Sequence, residues 1–395
     1  MRRLQLFNVL FLASITITKT LERHNDITYG SFGAYLSSSE IQEYLETYEE
    51  THENVDSVRV FSYGKSLKNV SLWGICIGEM CNSSNVSHPQ ALFTSLIHSR
   101  EPMALMALIC FMDRLESRFR EDSIETLLKS RTIWILPLLN PDGYDMNQAT
   151  HPNGGGFQRK NARENCEHGT TSLDQIGIDL NRNFPVCFDH DEIGSSSRAC
   201  AEDYQGSEAF SEPETAALRD WMLSSDVDVS IALNFHSFGR VLNLPNMCRD
   251  EGKTRDEEFF QEFANDVLQN NWDAGHPYDD GLYSVNGALS DWMYHEHHIM
   301  AMSPEMGPSL TTHLSDEDAF WPNRDLVLPM ALEAQKMILE ATWRAGALYK
   351  IELSTDGSDL RLSNMGLRKS SGHVRIFFAS SFDSKEHALE KLRAT

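Results

Sequence analysis

Three stretches of this 395-residue chain are short, nearly continuous and apolar: Ala91 to Ile97, Thr132 to Leu139 and Val227 to Phe235. A strand that is hydrophobic on both faces has both faces buried, and that is the condition of a sheet covered by helices on each side. Between and after these runs the pattern turns helical. Pro102 opens an apolar stretch that reaches Phe119, and further helices are predicted over Glu212 to Leu223, Asp256 to Gln269 and Leu326 to Ala345. Strands alternating with helices predict an α/β domain with a mixed, largely parallel central sheet flanked by helices. Ahead of the first run, Ser39-Glu40 begins a capped amphipathic helix through Ile41, Tyr44, Leu45 and Tyr48. Val58 to Ser62 and Leu72 to Ile77 read as strands.

In such sheets, functional groups collect at the carboxyl ends of strands. The first apolar run ends in His98-Ser99-Arg100-Glu101, and the third ends in Asn234-Phe235-His236-Ser237. Two histidines and a glutamate offer nitrogen and oxygen donors suited to zinc, and three protein ligands leave one position open for water. Hydrolysis at a metal also needs a base, a cation for the developing oxyanion and groups that orient the substrate. Candidates stand in clusters: Gln158-Arg159-Lys160-Asn161, then Asp179-Leu180-Asn181-Arg182-Asn183-Phe184, then Tyr283 ahead of Gly287 to Trp292, then Ser303-Pro304-Glu305. The second run feeds the turn signal Asn140-Pro141-Asp142-Gly143. A metal-like rival, His295-Glu296-His297-His298, lacks the second histidine of H-E-x-x-H because Ile299 follows, and it reads as solvated helix surface.

Lys and Arg total 34 against 58 Asp and Glu, a formal net charge of −24. That balance argues against nucleic acid or an anionic membrane as partner. Arg2, Arg3 and the apolar Leu4 to Thr18 predict a signal peptide over residues 1–20. Sequons at Asn69, Asn82 and Asn85 fit a secretory route. No later stretch is long and apolar enough to predict a membrane anchor. There are seven cysteines, so at least one is free or intermolecular. Cys110, inside an apolar run, is the candidate buried thiol, and Cys200 is expected to pair with Cys166 or Cys187.

Taken together, these motifs resemble the zinc metallocarboxypeptidases of the pancreatic and regulatory types. The matching segments are HSRE at His98, NPDG at Asn140, QRK around Arg159, DLNRNF at Asp179, NFHS at Asn234, and Tyr283 followed by GALSDW. They span roughly Tyr29 to Ala345, and Glu305 falls at the separation from Asp291 that the family implies. The resemblance implies one zinc ion held by His98, Glu101 and His236, with Asp179 orienting His98. It implies Glu305 as general base and Arg159 as the group facing the oxyanion. Asn181, Arg182 and Tyr283 would bind the substrate's terminal carboxylate, and Arg100 would contact the substrate further from its C-terminus. Ser290 and Met247 would line the side-chain pocket, with Val285 making it partly apolar and Ser303 mildly polar. Neither Ser290 nor Met247 is acidic, which leans towards neutral or hydrophobic C-terminal residues, although Asp250 lies close to Met247.

The expected domains are 1–20 signal peptide, 29–348 catalytic domain and 349–395 a short β-rich segment, including Val374 to Phe378. A propeptide domain is not expected. The expected product is a secreted or vacuolar-lumen monomer acting on peptide or protein C-termini. The rival readings are a zinc deacylase of N-acyl amino acids, a basic-residue-specific regulatory enzyme, and a non-catalytic binding protein.

Overall fold

The computed structural model describes residues 27–52, 57–81, 88–166, 175–248, 253–269, 271–277, 284–312, 314–353 and 360–369. The signal-like segment, the sequons at Asn82 and Asn85, Asp250, Tyr283 and the stretch Val374 to Phe378 lie outside them. Asn69 is described, and it is exposed in the turn between the first two strands.

Among the described residues the first helix is α1 (Ser38–Thr51), followed by the hairpin β1 (Val58–Lys65) and β2 (Ser71–Ile77) and then β3 (Gln90–Thr94). Next come α2 (Pro102–Glu116), α3 (Asp122–Ser130), β4 (Thr132–Leu136) and α4 (Pro141–Thr150). After the 3-10 turn Leu180–Arg182 come α5 (Pro213–Met222), β5 (Val229–Asn234), β6 (His236–Gly239), β7 (Val241–Asn243), α6 (Glu257–Val267) and β8 (Asp273–Gly275). The main body closes with α7 (Leu289–His297), β9 (Met300–Ser309), α8 (Asp316–Phe320) and α9 (Arg324–Arg344).

The sheet runs β1-β2-β4-β3-β5-β9-β7-β8, with β6 also paired to β9. Its centre, β4-β3-β5-β9, is parallel, and β1, β2 and β7 add antiparallel pairs. The three apolar runs supply β3, β4 and β5, and every residue in those strands is buried. Successive side chains on a strand point to opposite faces. Leu92, Trp134 and Ala232 accordingly join a core with Leu218, Met222, Leu289 and Trp292 from α5 and α7. Phe93 points the other way and meets Phe111 of α2, with ring centroids 6.3 Å apart.

Four local expectations need correction. The first apolar run stops being strand at Thr94: Ser95 N–H makes the last ladder bond, to Leu136 O, and Leu96 then takes the left-handed conformation. His98 therefore sits on a bend beyond the strand. The second run likewise ends at Leu136. Asn140-Pro141-Asp142-Gly143 starts a helix: Asn140 Oδ1 caps it by accepting from Gly143 N at 3.0 Å, and Pro141 fills the first turn, where its missing N–H costs nothing. The cap of α1 is Ser37, two residues before the expected start, closed by a reciprocal bond with Glu40.

Disulfides join Cys76–Cys81, Cys166–Cys200 and Cys187–Cys248, and Cys110 is a buried free thiol. The segment from Ala347 onward groups apart from Asp26–Gly346. It contains the antiparallel hairpin β10 (Tyr349–Leu353) and β11 (Leu360–Asn364).

Candidate active site

His98 leaves the bend after β3, and Glu101 is the residue at which α2 begins, with Pro102 first inside the helix. His236 comes one residue after β5 and opens β6. The crossover between β3 and β5 thus brings together residues 138 apart in sequence. His98 Nδ1 lies 2.9 Å from Glu101 Oε1, His236 Nδ1 lies 3.0 Å from Glu101 Oε2, and the two Nδ1 atoms are 3.1 Å apart. All three side chains are buried, and no other described residues form such a group of three. Two imidazole nitrogens facing each other beside a carboxylate leave lone pairs without enough protons to share. That arrangement suits a cation. Tetrahedral zinc with bonds of about 2.0–2.1 Å sets its ligand atoms about 3.3 Å apart, close to what is observed here.

Asp179 controls the orientation of this group. His98 Nε2 donates to Asp179 Oδ1 at 3.2 Å, so the Nδ1 lone pair is the one turned inward. Asp179 Oδ1 also accepts from Asn181 N at 2.9 Å, and Oδ2 accepts from Arg159 Nε at 2.9 Å. Burial alone would raise the Asp179 carboxyl, but Arg159, Arg182 and His98 hold it well below the usual carboxylate range. Glu101 behaves likewise: burial opposes its charge, and His98 and His236 overcome that.

Arg159 is positioned by its main chain. Its carbonyl accepts from Ser99 N at 3.0 Å and from Asn140 Nδ2 at 3.3 Å. Asn147 on α4 accepts from Gln158 N at 2.9 Å. The neighbouring Lys160 is fully buried and donates to the carbonyls of Gln175 and Ala201, which makes it a loop strut rather than a solvated charge.

A cavity of about 240 Å³ opens over these groups. Arg100, Arg159, Asn181, Arg182, Met247 and Glu305 all line it with the three metal-type residues. Asn181 Oδ1 accepts from Leu289 N at 2.9 Å, pinning the start of α7. Arg182 is 4% exposed, its Nη1 donates to Asn181 O at 3.0 Å, and its buried Nε has no partner. Ser237 Oγ and Arg100 Nε are buried without partners as well. Arg100 is held by Glu202 at 2.7 Å and stacks over Phe320. Glu305 borders the cavity, yet surrounding protein pushes its carboxyl up to about 7, with Glu101 adding repulsion and His236 opposing it.

Ser290 stands one layer further back than expected. It is 1% exposed, accepts from Asn234 Nδ2 at 2.7 Å and pairs with Ser303 Oγ at 2.6 Å; Ser303, not Ser290, reaches the cavity wall. Met247 packs with Val285 and Ala288, and its N–H is held by Asp291 at 2.9 Å. Sequence reading overlooked Asn243, Val241, Phe238 and Phe320 as wall residues. For Val241 and Asn243 the available signal was alternation, since every second residue of a strand shares a face.

The rival histidine cluster does not converge. His295 bonds Asn246 at 2.8 Å, His298 accepts from Arg255 at 3.1 Å, and His297 lies against Trp292.

Residues 41–337 match the family model described as zinc carboxypeptidase. The chain belongs to the zinc carboxypeptidase family. It is 27% identical over 297 residues to zinc carboxypeptidase A 1 of Drosophila melanogaster, covering 72% of this chain and 64% of that one. It is 26% identical over 271 residues to the carboxypeptidase N catalytic chain of Rattus norvegicus, covering 60% and 56%. The chain therefore spans less than two thirds of the length of these relatives. The carboxypeptidase A structure from Helicoverpa armigera superposes with a TM-score of 0.66 at 24% identity, covering 85% of this chain and 80% of that one. That likeness is one of fold. With the zinc carboxypeptidase family established, the His98, Glu101 and His236 donor set fits its metal in number, type and burial.

Proposed function

We propose that this protein removes the C-terminal residue of peptides by zinc-assisted hydrolysis. The observation that carries this is Arg182, which lines the same cavity as His98, Glu101 and His236 and whose buried Nε has no partner. A guanidinium with an unfilled donor matches a free carboxylate, and an internal peptide bond has none to offer.

His98, Glu101 and His236 would hold the zinc. The bound ion supplies a Lewis acid and lowers the pKa of water towards roughly 7. Glu305 takes the proton from the attacking water and passes it to the leaving amine. Arg159 sits beside Asp179 and faces the oxygen on which charge develops. Asn181 and Arg182, with Tyr283 from outside the described residues, receive the terminal carboxylate. Arg100, braced by Glu202 and Phe320, touches residues further from the C-terminus.

The side chain of the departing residue enters a pocket walled by Val241, Met247, Pro277, Val285, Asn243 and Ser303. None of these six is charged, which favours neutral or hydrophobic C-terminal residues over lysine and arginine. Three disulfides support an oxidising, secretory setting. Among the described residues no helix is long and apolar enough to cross a membrane. We read the chain as a secreted or luminal monomer with peptide or protein C-termini as partners.

The test is a set of peptides differing only in the last residue (Phe, Leu, Ala, Lys, Arg or Glu), plus an amidated control and an N-acyl amino acid. Each is incubated with and without a zinc chelator and read by mass spectrometry. Chelator-sensitive loss of one residue from free-carboxylate peptides is the expected result. Equal cleavage of the amide, or turnover of the N-acyl amino acid alone, would transfer the assignment to a deacylase.

A further inference from the structure

We propose that Asn243 is a positioning residue for the Glu305 carboxylate, an assignment that rests on Glu305 acting as the base. Strands β7 and β9 are antiparallel, with Val241 opposite Glu305 and Asn243 opposite Ser303. Residues two apart on a strand share a face, so these four side chains stand together, and all four line the cavity. Asn243 is diagonal to Glu305 and reaches it: Nδ2 donates to Oε1 at 3.3 Å. Among the described residues this is the one side-chain hydrogen bond that Glu305 receives.

The main chain is held from the same side. Arg240 N donates to Glu305 O at 2.8 Å. The Arg240 side chain is fixed in turn by a two-pronged bond to Glu333 of α9, at 3.1 and 2.8 Å, and Glu333 also accepts from Trp272 Nε1 at 2.8 Å. The corner between β6 and β7 is thereby braced against a long helix. Asn243 projects from that braced corner. A carboxylate on its own strand can swing about its side-chain torsions. Tying down Oε1 leaves Oε2 as the oxygen that addresses water. The asparagine thus performs two tasks at once, walling the pocket and aiming the base.

The experiment separates those tasks. Asn243→Leu removes the donor at similar size, and Asn243→Asp keeps the shape but replaces the donor with a like charge. Both are purified zinc-loaded. Their kcat and KM are measured on peptides ending in Phe, Leu and Ala, with zinc content and thermal midpoint determined alongside. If Asn243 aims the base, kcat falls by roughly three- to thirtyfold, by the same factor for each C-terminal residue, with KM held within about twofold. Asn243→Asp falls further than Asn243→Leu. Zinc content stays at the wild-type level in both. Unchanged kcat, or changes confined to KM that vary with the C-terminal residue, would reduce Asn243 to a pocket wall and overturn the assignment. Should Asn243→Leu fail to fold, the isosteric Asn243→Asp decides the matter. An active wild type with unaltered Asn243→Asp turnover sinks this assignment alone; a wild type inactive on every peptide sinks the peptidase reading together with it.

Discussion

Asp179 stands 3.2 Å from Nε2 of His98 and so turns the other ring nitrogen towards Glu101 and His236. An amide at position 179 can present its NH2 to His98 instead of an acceptor. Asp179→Asn is therefore expected to weaken zinc binding by about ten- to a hundredfold. Competition with a chromophoric chelator measures this. Unaltered affinity would mean that packing alone orients the imidazole.

Glu305→Gln keeps the shape of the side chain and removes its basicity. Turnover should fall by about 10²–10⁴-fold while zinc content is unchanged. Metal analysis beside steady-state kinetics distinguishes this from a binding defect. Retained turnover would require another base in the cavity.

Arg182→Lys keeps the charge but loses the fork. For free-carboxylate peptides kcat/KM should drop by about ten- to a hundredfold, and the residual activity on amidated peptides should stay where it was. A proportional loss on both substrates would show that Arg182 supports the fold and does not read the terminus.

Glu214 provides a test of stability against pH. It is buried near Asp142 and Glu212, and Oε1 accepts from Leu67 N at 2.9 Å. Burial, with repulsion from Asp142 and Glu212, pushes its carboxyl up from 4.5 to about 7. The folded state therefore holds a proton that the unfolded chain gives up. This favours folding below pH 4.5, and the advantage is lost as pH rises through 7. Between pH 5 and 8 the loss is on the order of 2 kcal/mol. Glu214→Gln keeps the acceptor for Leu67 and should raise the thermal midpoint at pH 8 while changing it little at pH 5. Equal shifts at both values would remove the titration from the explanation.

Much of the site was readable as local pattern. His98 with Glu101, and Asn181 with Arg182, are neighbours in sequence, and the ends of apolar runs indicate where a buried sheet releases its chain. The third metal-type residue was legible only because His236 ends another such run. The contact of Asn243 with Glu305 was not legible. Asn243 follows an ordinary strand pattern, and its importance depends on a register with β9 that links residues 62 apart. Ser290 was misplaced by one layer for a related reason: whether a serine lines a cavity or stands behind one depends on packing depth, which local composition does not encode.

Residue types and their order alone settled the chemistry available to this chain: imidazole and carboxylate donors, two guanidiniums for anions, and buried strands to carry them. Those follow from hydrophobic periodicity and side-chain donor inventories, both local properties. Tertiary structure decided which groups face one another. It turned Nδ1 rather than Nε2 of His98 inward, left Arg182 Nε without a partner, buried Lys160 as a strut, and set Asn243 against Glu305. Such facts require elements distant in sequence to pack at a fixed distance, and only the closed sheet with its helices imposes that distance.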